Sequence, residues 1–170
     1  VLWLFQDNPW AVENLKKEAL HHGVDASRLI FAEKMPLPEH LARHRQADLF
    51  LDTSPYNAGT TASDALWAGL PVITFLGRSF SARMCGSLLK SIGLPELVAP
   101  SLQDYEDLAI SIGKNPETIA SLKNRLAENR LTMPLFDTKL FTRNLESAYK
   151  KAYERYQLDL IPNNISVDSI

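Results

Sequence analysis

The sequence has one cysteine, almost no net charge and no long apolar run. With no second cysteine, Cys85 cannot form an internal disulfide, which fits a reducing compartment. The formal net charge of -2 over 170 residues provides no basic surface for nucleic acid or for an anionic membrane. No apolar run approaches the roughly 20 residues that a membrane-spanning helix needs. These absences predict a cytoplasmic globular protein without a nucleic-acid or membrane partner.

The sequence does contain a series of short apolar runs separated by helical patterns. The runs are predicted strands at residues 1–5, 29–31, 49–51, 72–75 and 97–99. Short apolar strands that alternate with helices are typical of a parallel sheet covered by helices on both faces. From residue 115 onward the pattern is wholly helical. The sequence therefore predicts one α/β domain with a doubly wound parallel sheet and C-terminal helices.

Residues that cap helices mark where the helices begin. The predicted caps are Asn8, Ser101 and Asn115, either Ser79 or Ser81, and either Asp137 or Thr138. A short helix is expected over residues 39–45. Periodicity is lost after about Gln157, so residues 157–170 are predicted to form a tail. A buried-strand pattern at the first residue predicts that the chain starts inside a longer protein.

The loop after the third predicted strand carries the strongest candidate site. In parallel sheets ligands lie beyond the carboxyl ends of the strands, and residues 56–64 are at such an end. Thr60 and Thr61 open the next helix, where unpaired N–H groups and the helix dipole favour an anion such as a diphosphate. Gly59 allows a close backbone approach, and Asp64 can accept from two sugar hydroxyls. The structural alternative is that Thr61 and Asp64 form a plain capping pair.

Two histidines on the predicted short helix raise the alternative of a metal site. His40 and His44 stand four residues apart, which is a metal-ligand spacing, but the nearby sequence offers no third ligand. A solvated helix face is the simpler interpretation. His40 and Arg43 also follow a strand-end loop, where a planar base can stack on imidazole or guanidinium.

Several segments closely resemble one family of glycosyltransferases. They include residues 47–52 (Ala-Asp-Leu-Phe-Leu-Asp), 57–64 (Asn-Ala-Gly-Thr-Thr-Ala-Ser-Asp), 66–71 (Leu-Trp-Ala-Gly-Leu-Pro) and 134–138 (Pro-Leu-Phe-Asp-Thr). They are similar to the C-terminal catalytic lobe of the O-linked N-acetylglucosamine transferase family, which includes SPINDLY-like proteins. The resemblance implies that residues 1–156 form the Rossmann-like, nucleotide-sugar-binding lobe of a GT-B fold. Many family members carry tetratricopeptide repeats ahead of their two lobes.

The resemblance also implies an activity and a donor site. The family includes inverting enzymes that transfer N-acetylglucosamine from UDP-N-acetylglucosamine to Ser and Thr hydroxyls of proteins. Thr60 and Thr61 would hold the diphosphate, and Asp64 would accept from the ribose hydroxyls. The family usually has histidine immediately before the paired threonines, where this chain has Gly59, so one donor to the diphosphate is absent. The resemblance assigns no catalytic residue to this chain.

The uracil side of the site is implied in the same way. Backbone groups around Met35 would contact uracil, while His40 and Arg43 would flank or bond it. A lysine found in animal members falls here at Leu37. Enzymes of this kind need neither a metal nor another cofactor, because helix N-termini and basic side chains offset the charge of the leaving diphosphate. The UDP-sugar is then a substrate, and its binding is expected to be independent of metal.

The family lobe has parts for which this sequence shows no counterpart. They are its first strand and helix, a preceding N-terminal lobe, and the repeats that meet the protein acceptor. We therefore expect a UDP-sugar site but negligible transfer from these 170 residues alone. Three alternatives stay open at this point: a nucleotide-sugar epimerase lobe, a non-catalytic nucleotide-binding or interaction module, and GDP-fucose in place of the UDP-sugar.

Overall fold

Five strands and seven α-helices make up the protein in a computed structural model that describes residues 1–167. The chain divides into two compact units, Val1–Arg43 and His44–Ile170. Within the described residues, none of the helices combines the length and apolar character needed to cross a membrane. The strands within each unit are parallel. The predicted α/β class is thus confirmed, with the strands arranged in two parallel sheets.

The first unit contains a two-stranded sheet and two helices. Its elements are β1 (Leu2–Phe5), α1 (Pro9–His21), β2 (Leu29–Ala32) and α2 (Leu37–Arg43). β1 and β2 pair in parallel from Leu2 opposite Leu29 to Phe5 opposite Ala32. The side chain of Asn8 accepts from the N–H of Ala11 at 2.8 Å and so caps α1, as predicted.

The second unit contains a three-stranded sheet and five helices. Its elements are β3 (Phe50–Leu51), α3 (Thr60–Ala68), β4 (Val72–Phe75), α4 (Met84–Ser91), β5 (Val98–Ala99), α5 (Leu102–Gly113), α6 (Pro116–Thr132) and α7 (Thr138–Gln157). β4 lies between β3 and β5. Its residues Val72, Ile73 and Thr74 are buried, because strands pair on both its edges and helices pack against it.

The core of the second unit is a single apolar cluster around β4. It joins Leu66 of α3, Leu89 of α4, Ile112 of α5 and Leu126 of α6, all of them buried. α3 ends at Gly69, whose φ of 90° is the left-handed conformation that favours glycine, and the Leu70 N–H turns back to the Ala65 carbonyl. The chain thereby passes directly from α3 into β4.

Most predicted helix starts are confirmed, and two boundaries differ. Ser101, Asn115 and Asp137 each accept from an N–H in the first turn of the following helix. The helix predicted over residues 39–45 is found two residues earlier, as α2, and is followed by a 3-10 turn at His44–Gln46. Ser79 Oγ accepts from the Ala82 N–H at 3.2 Å, but this starts a 3-10 turn, Ser81–Arg83, rather than α4.

The division predicted from the sequence, a lobe over residues 1–156 and a tail from 157, stays a prediction. α7 ends at Gln157. The described part of the tail contacts this helix through two side chains: Arg155 donates to the Ile161 carbonyl at 2.5 Å, and Lys151 donates to the Ser166 carbonyl at 2.8 Å. Residues 168–170 of the predicted tail lie outside the described residues.

Candidate functional site

The candidate site is the loop that joins β3 to α3. β3 ends at Leu51 and α3 begins at Thr60, so residues 52–59 form the loop, with a cis peptide between Ser54 and Pro55. The loop lies at the carboxyl end of a parallel strand, which is where α/β proteins bind ligands. All four residues predicted for this side of the site are at its junction with α3: Gly59, Thr60, Thr61 and Asp64.

Among the residues that the structure describes, no side chain caps α3. Gly59 is the N-cap residue, with φ -107° and ψ -85°, and has no side chain that could accept from the first amides. Thr60 and Thr61 are exposed in the first turn, and Asp64 is half-buried one turn further on. The capping alternative for Thr61 and Asp64 is wrong, because Thr61 lies inside the helix and not at its cap position. This helix end can therefore offer its amides to an anion.

A buried carboxylate lies directly behind the loop. Asp52 Oδ1 accepts from the N–H groups of Thr53 at 2.8 Å and Ala58 at 2.7 Å. Asp52 Oδ2 accepts from Asn57 Nδ2 at 2.7 Å and from the Thr74 hydroxyl at 2.6 Å. Asn57 Nδ2 also donates to Thr74 Oγ1 at 2.8 Å, which closes a triangle of three polar side chains. All three are buried, so these bonds form in a medium of low dielectric.

Two further side chains border this triangle. The Tyr105 hydroxyl, from α5, donates to the Asp52 carbonyl at 2.8 Å. Burial, and then the Asp52 carboxylate, raise the pKa of Tyr105 to about 12, so the hydroxyl remains a donor at neutral pH. Burial, with a smaller effect of Asp52, also raises the pKa of the free Cys85 thiol. Cys85 is therefore a small apolar packing residue and not a nucleophile.

An open pocket of about 340 Å³ lies at the start of α4. Phe80, Arg83, Met84 and Lys90 are among its lining residues, so it has apolar walls and two cationic groups. Met84 also borders the loop: a Cβ added at Gly59 would lie 3.5 Å from Met84 Cε, which is ordinary van der Waals contact. A Cβ at residue 59 is therefore accommodated without crowding.

The residues predicted for the uracil side lie in the first unit. Met35 is in the loop before α2, while His40 and Arg43 are on α2 itself. Arg43 donates to the Glu33 carbonyl at 2.8 Å, and its guanidinium lies 5.6 Å from the centre of the Trp3 ring. Arg43 thus holds the loop that contains Met35. The structure groups these three residues in one unit and the predicted phosphate-side residues in the other.

The first unit also holds a group of potential metal ligands that differs from the predicted histidine pair. In the described part of the chain, one cluster of three ligand-type side chains has all donor atoms within 4.8 Å of one another, namely Glu18, His21 and His22. All three are exposed, and Glu18 Oε1 lies 3.1 Å from His22 Nε2. His40 and His44 do not belong to this cluster. An exposed Glu–His pair at a helix end is a common surface arrangement.

The buried polar triangle is not among the features predicted from the sequence. In the sequence, Asp52 and Asn57 fall within segments that resemble the family, and Thr74 falls within a predicted strand. The available signal was a carboxylate immediately after an apolar strand, together with a hydroxyl within the most apolar strand. Buried polar groups of this kind need hydrogen-bond partners, so this signal favours a bond between Asp52 and Thr74.

The parallel strands, the flanking helices and the open helix start beyond β3 define an α/β protein of the Rossmann-like class. The chain belongs to a particular family within it: the model for glycosyl transferase family 41 matches residues 1–145. The family resemblance predicted from the sequence is therefore confirmed.

Individual relatives agree with the family match. The chain is 32% identical over 168 residues to the UDP-N-acetylglucosamine–peptide N-acetylglucosaminyltransferase of Caenorhabditis elegans, covering 96% of this chain and 15% of that protein. It is 34% identical over 167 residues to the probable enzyme SEC of Arabidopsis thaliana, covering 98% of this chain and 17% of that protein. The chain thus spans about a sixth of the length of these relatives.

A solved structure has the same fold. It is a variant of the O-GlcNAc transferase of Thermobaculum terrenum, with a TM-score of 0.83 and 34% sequence identity. The match covers 89% of this chain and 30% of that one. The predicted fold is thus confirmed by a structure of the same family.

Proposed function

We propose that this chain is the donor-binding part of a glycosyltransferase that moves N-acetylglucosamine from UDP to Ser and Thr hydroxyls of proteins. The observation that carries the proposal is the start of α3, where paired threonines follow Gly59 and no described side chain occupies the first amides. The family match and the names of the relatives support the choice of a nucleotide-sugar substrate.

The phosphate side of the proposed site follows from helix chemistry. The diphosphate of UDP lies against the N–H groups of the first turn of α3, where the helix dipole is positive. The exposed hydroxyls of Thr60 and Thr61 donate to its oxygens. Asp64, half-buried one turn on, accepts from the ribose hydroxyls. Gly59 leaves the backbone accessible at the point of closest approach.

The uracil side is proposed on the first unit. Backbone groups next to Met35 pair with the base, and His40 and Arg43 flank it. The support is that Arg43 already bonds to the Glu33 carbonyl, so the backbone of the loop before α2 is held in place before any ligand arrives. A loop ordered in advance binds a ligand with less loss of conformational entropy.

The chemical step forms one bond and breaks another. The hydroxyl oxygen of the acceptor bonds to the anomeric carbon of the sugar and loses its proton to a base from outside these residues. The bond from that carbon to the diphosphate oxygen breaks, and UDP leaves with the electron pair. The α3 dipole and the threonine hydroxyls stabilise the charge that develops on the diphosphate. We propose that no metal is required, and that binding of UDP is unchanged by EDTA. No side chain of this chain is assigned as the general base.

Titration calorimetry with UDP and GDP tests the proposal. We expect heat with UDP, a much weaker response to GDP, and loss of UDP binding by about a hundredfold or more in the Thr60→Ala, Thr61→Ala double variant, because two donors to the diphosphate are removed. Thr138→Ala is the matched control: Thr138 is also the first residue of a helix, but Asp137 caps that helix. Equal UDP affinity in the double variant and the wild type would contradict the proposal.

The cellular setting is part of the same proposal. A protein acceptor would be met by segments that the family carries outside the region matched here. We propose a cytoplasmic location, supported by the single, buried, unpaired cysteine. Cell fractionation followed by immunoblotting tests this location, and recovery of the protein only from a secreted or membrane fraction would contradict it.

A further inference from the structure

The loop before α3 is closed on one carboxylate. Asp52 accepts from the N–H of Thr53, at the start of the loop, and from the N–H of Ala58, near its end. Ala58 is the residue before Gly59, the N-cap of α3. The bond at 2.7 Å from Ala58 to Asp52 therefore fixes the backbone immediately before the amides that we assign to the diphosphate.

The carboxylate is itself held by the core of the second unit. Thr74 lies in the centre of the three-stranded sheet and is completely buried, and its hydroxyl donates to Asp52 at 2.6 Å. Tyr105 fixes the main chain of the same aspartate from α5. Asp52 thereby joins a rigid strand and a helix to an exposed loop.

The third side chain of the triangle, Asn57, is oriented towards Asp52 and Thr74. Asn57 Oδ1 is buried and has no hydrogen-bond partner among the described residues. The amide turns its Nδ2 towards Asp52 and Thr74, even though this leaves the oxygen unpaired. An unpaired buried oxygen costs stability, so the two bonds from Nδ2 are made at the expense of a partner for Oδ1.

We propose that Asp52 is a positioning residue that, with Thr74, holds the backbone at Ala58 and Gly59 in the geometry that binds the diphosphate. This inference rests on the proposed function. Asp52 acts through the loop and does not touch the ligand, since the carboxylate is 7% exposed and accepts four bonds from within the chain. Loss of its bond to Thr74 is expected to weaken nucleotide binding and not only folding.

The test compares three variants of the purified protein by UDP calorimetry and urea unfolding. Thr74→Val keeps the shape and removes the hydroxyl, and we expect about tenfold weaker UDP binding because the loop is displaced. Thr74→Ser keeps the hydroxyl and is expected to bind within about twofold of the wild type. Ile112→Val, in the same core but away from the loop, is the control for lost stability, with unchanged UDP affinity.

Each outcome of this test has one meaning. If folded Thr74→Val binds UDP as tightly as the wild type, the inference is overturned while the proposed function stands. If UDP affinity falls in Ile112→Val in proportion to its free energy of unfolding, the inference is also overturned. Weaker binding would then follow from lower stability anywhere in the core. A wild-type protein that binds no UDP overturns both proposals.

A second variant keeps the inference testable if Thr74→Val does not fold. Tyr105→Phe removes only the bond to the Asp52 carbonyl, at a half-buried position. UDP binding is expected to weaken only about threefold, since the bond from Thr74 to the carboxylate remains. Unchanged affinity in Tyr105→Phe would then overturn the inference.

Discussion

Five helices of this protein, α1, α3, α5, α6 and α7, begin in two different ways. α1, α5, α6 and α7 each start at a residue whose side chain accepts from the first turn: Asn8, Ser101, Asn115 and Asp137. The N-cap residue of α3 is Gly59, and no described side chain hydrogen-bonds to the first turn of this helix. Glycine at the cap position is worse than these side chains by roughly a few tenths of a kcal/mol, so the start of α3 forgoes a little stability that the other four helices have. This difference supports the proposal that the amides at the start of α3 are left open for a ligand.

α4 is an informative intermediate case. It also lacks a side-chain cap among the described residues, but a 3-10 turn, Ser81–Arg83, precedes it, and Ser79 accepts from the Ala82 N–H. Its start is therefore partly satisfied by backbone turns. Of these two helices, α3 has the less satisfied first turn, because the chain enters it directly from the loop.

Closing α3 with an acidic cap should abolish the difference between the two kinds of helix start. We expect Gly59→Asp to stabilise the protein by a few tenths of a kcal/mol, because aspartate is a slightly better cap than glycine. UDP affinity should fall by about a hundredfold, since like charges about 4 Å apart repel strongly near a protein surface. Calorimetry and urea unfolding measure the two effects, and Gly59→Asn is the uncharged control. Undiminished UDP binding in Gly59→Asp would show that the diphosphate is not at this helix end.

Adding a donor at the same position should have the opposite effect. Gly59→His supplies the side chain that the family usually has at this position, and the space beside Met84 Cε accommodates its Cβ. We expect UDP to bind about tenfold more tightly, as for one additional charge-assisted hydrogen bond. Calorimetry of Gly59→His against Gly59→Ala separates the imidazole from the effect of merely replacing glycine. Weaker binding by the histidine variant would argue against a donor role at residue 59.

Removing a cap from a structural helix should affect stability alone. Asn115 accepts from the N–H groups of Glu117 and Thr118 at the start of α6. Asn115→Ala should lower the free energy of unfolding by about 1 kcal/mol, because the amides lose their acceptor. UDP affinity should not change. Urea unfolding measures the stability and calorimetry the UDP affinity. A fall in UDP affinity equal to that of Gly59→Asp would show that capped and uncapped helix starts do not differ in their role.

The smallest expected effect is on pH dependence near the loop. The pKa of Tyr105 is raised in the folded protein to about 12, from an ordinary value of 10.0. Below pH 10 both states keep the phenolic proton, so stability is unaffected. Between pH 10 and 12 the unfolded chain loses that proton first, so the free energy of unfolding falls as pH rises. Tyr105→Phe should show a shallower decline over this range in urea unfolding, and an identical decline would exclude Tyr105 as its source.

The caps could be predicted from the sequence because a cap is a local feature. Asn115 and Ser101 each act on amides within three residues, so the residue type and its spacing are sufficient. The position of Gly59, Thr60 and Thr61 at a strand-to-helix junction was predictable for the same reason. Their role as ligand contacts remains a prediction, since position alone does not establish binding.

The support behind the loop could not be predicted in this way. Thr74 and Tyr105 are 22 and 53 residues from Asp52 along the chain, and only the folding of β4 and α5 brings them together. No spacing rule connects residues so far apart. The start of α4 was misjudged for a related reason, because Ser79 does accept from a backbone amide, but in a turn that precedes the helix.

The four bonds to Asp52 also decide what this residue cannot do. A carboxylate at a strand end beside a ligand loop is where one would first look for the group that removes the proton from an acceptor hydroxyl. Here each oxygen already faces two donors from its own chain, and the side chain is nearly inaccessible to solvent. Burial and these four bonds within the chain prevent the carboxylate from contacting a substrate. In the proposed reaction, deprotonation of the acceptor is therefore assigned to another group.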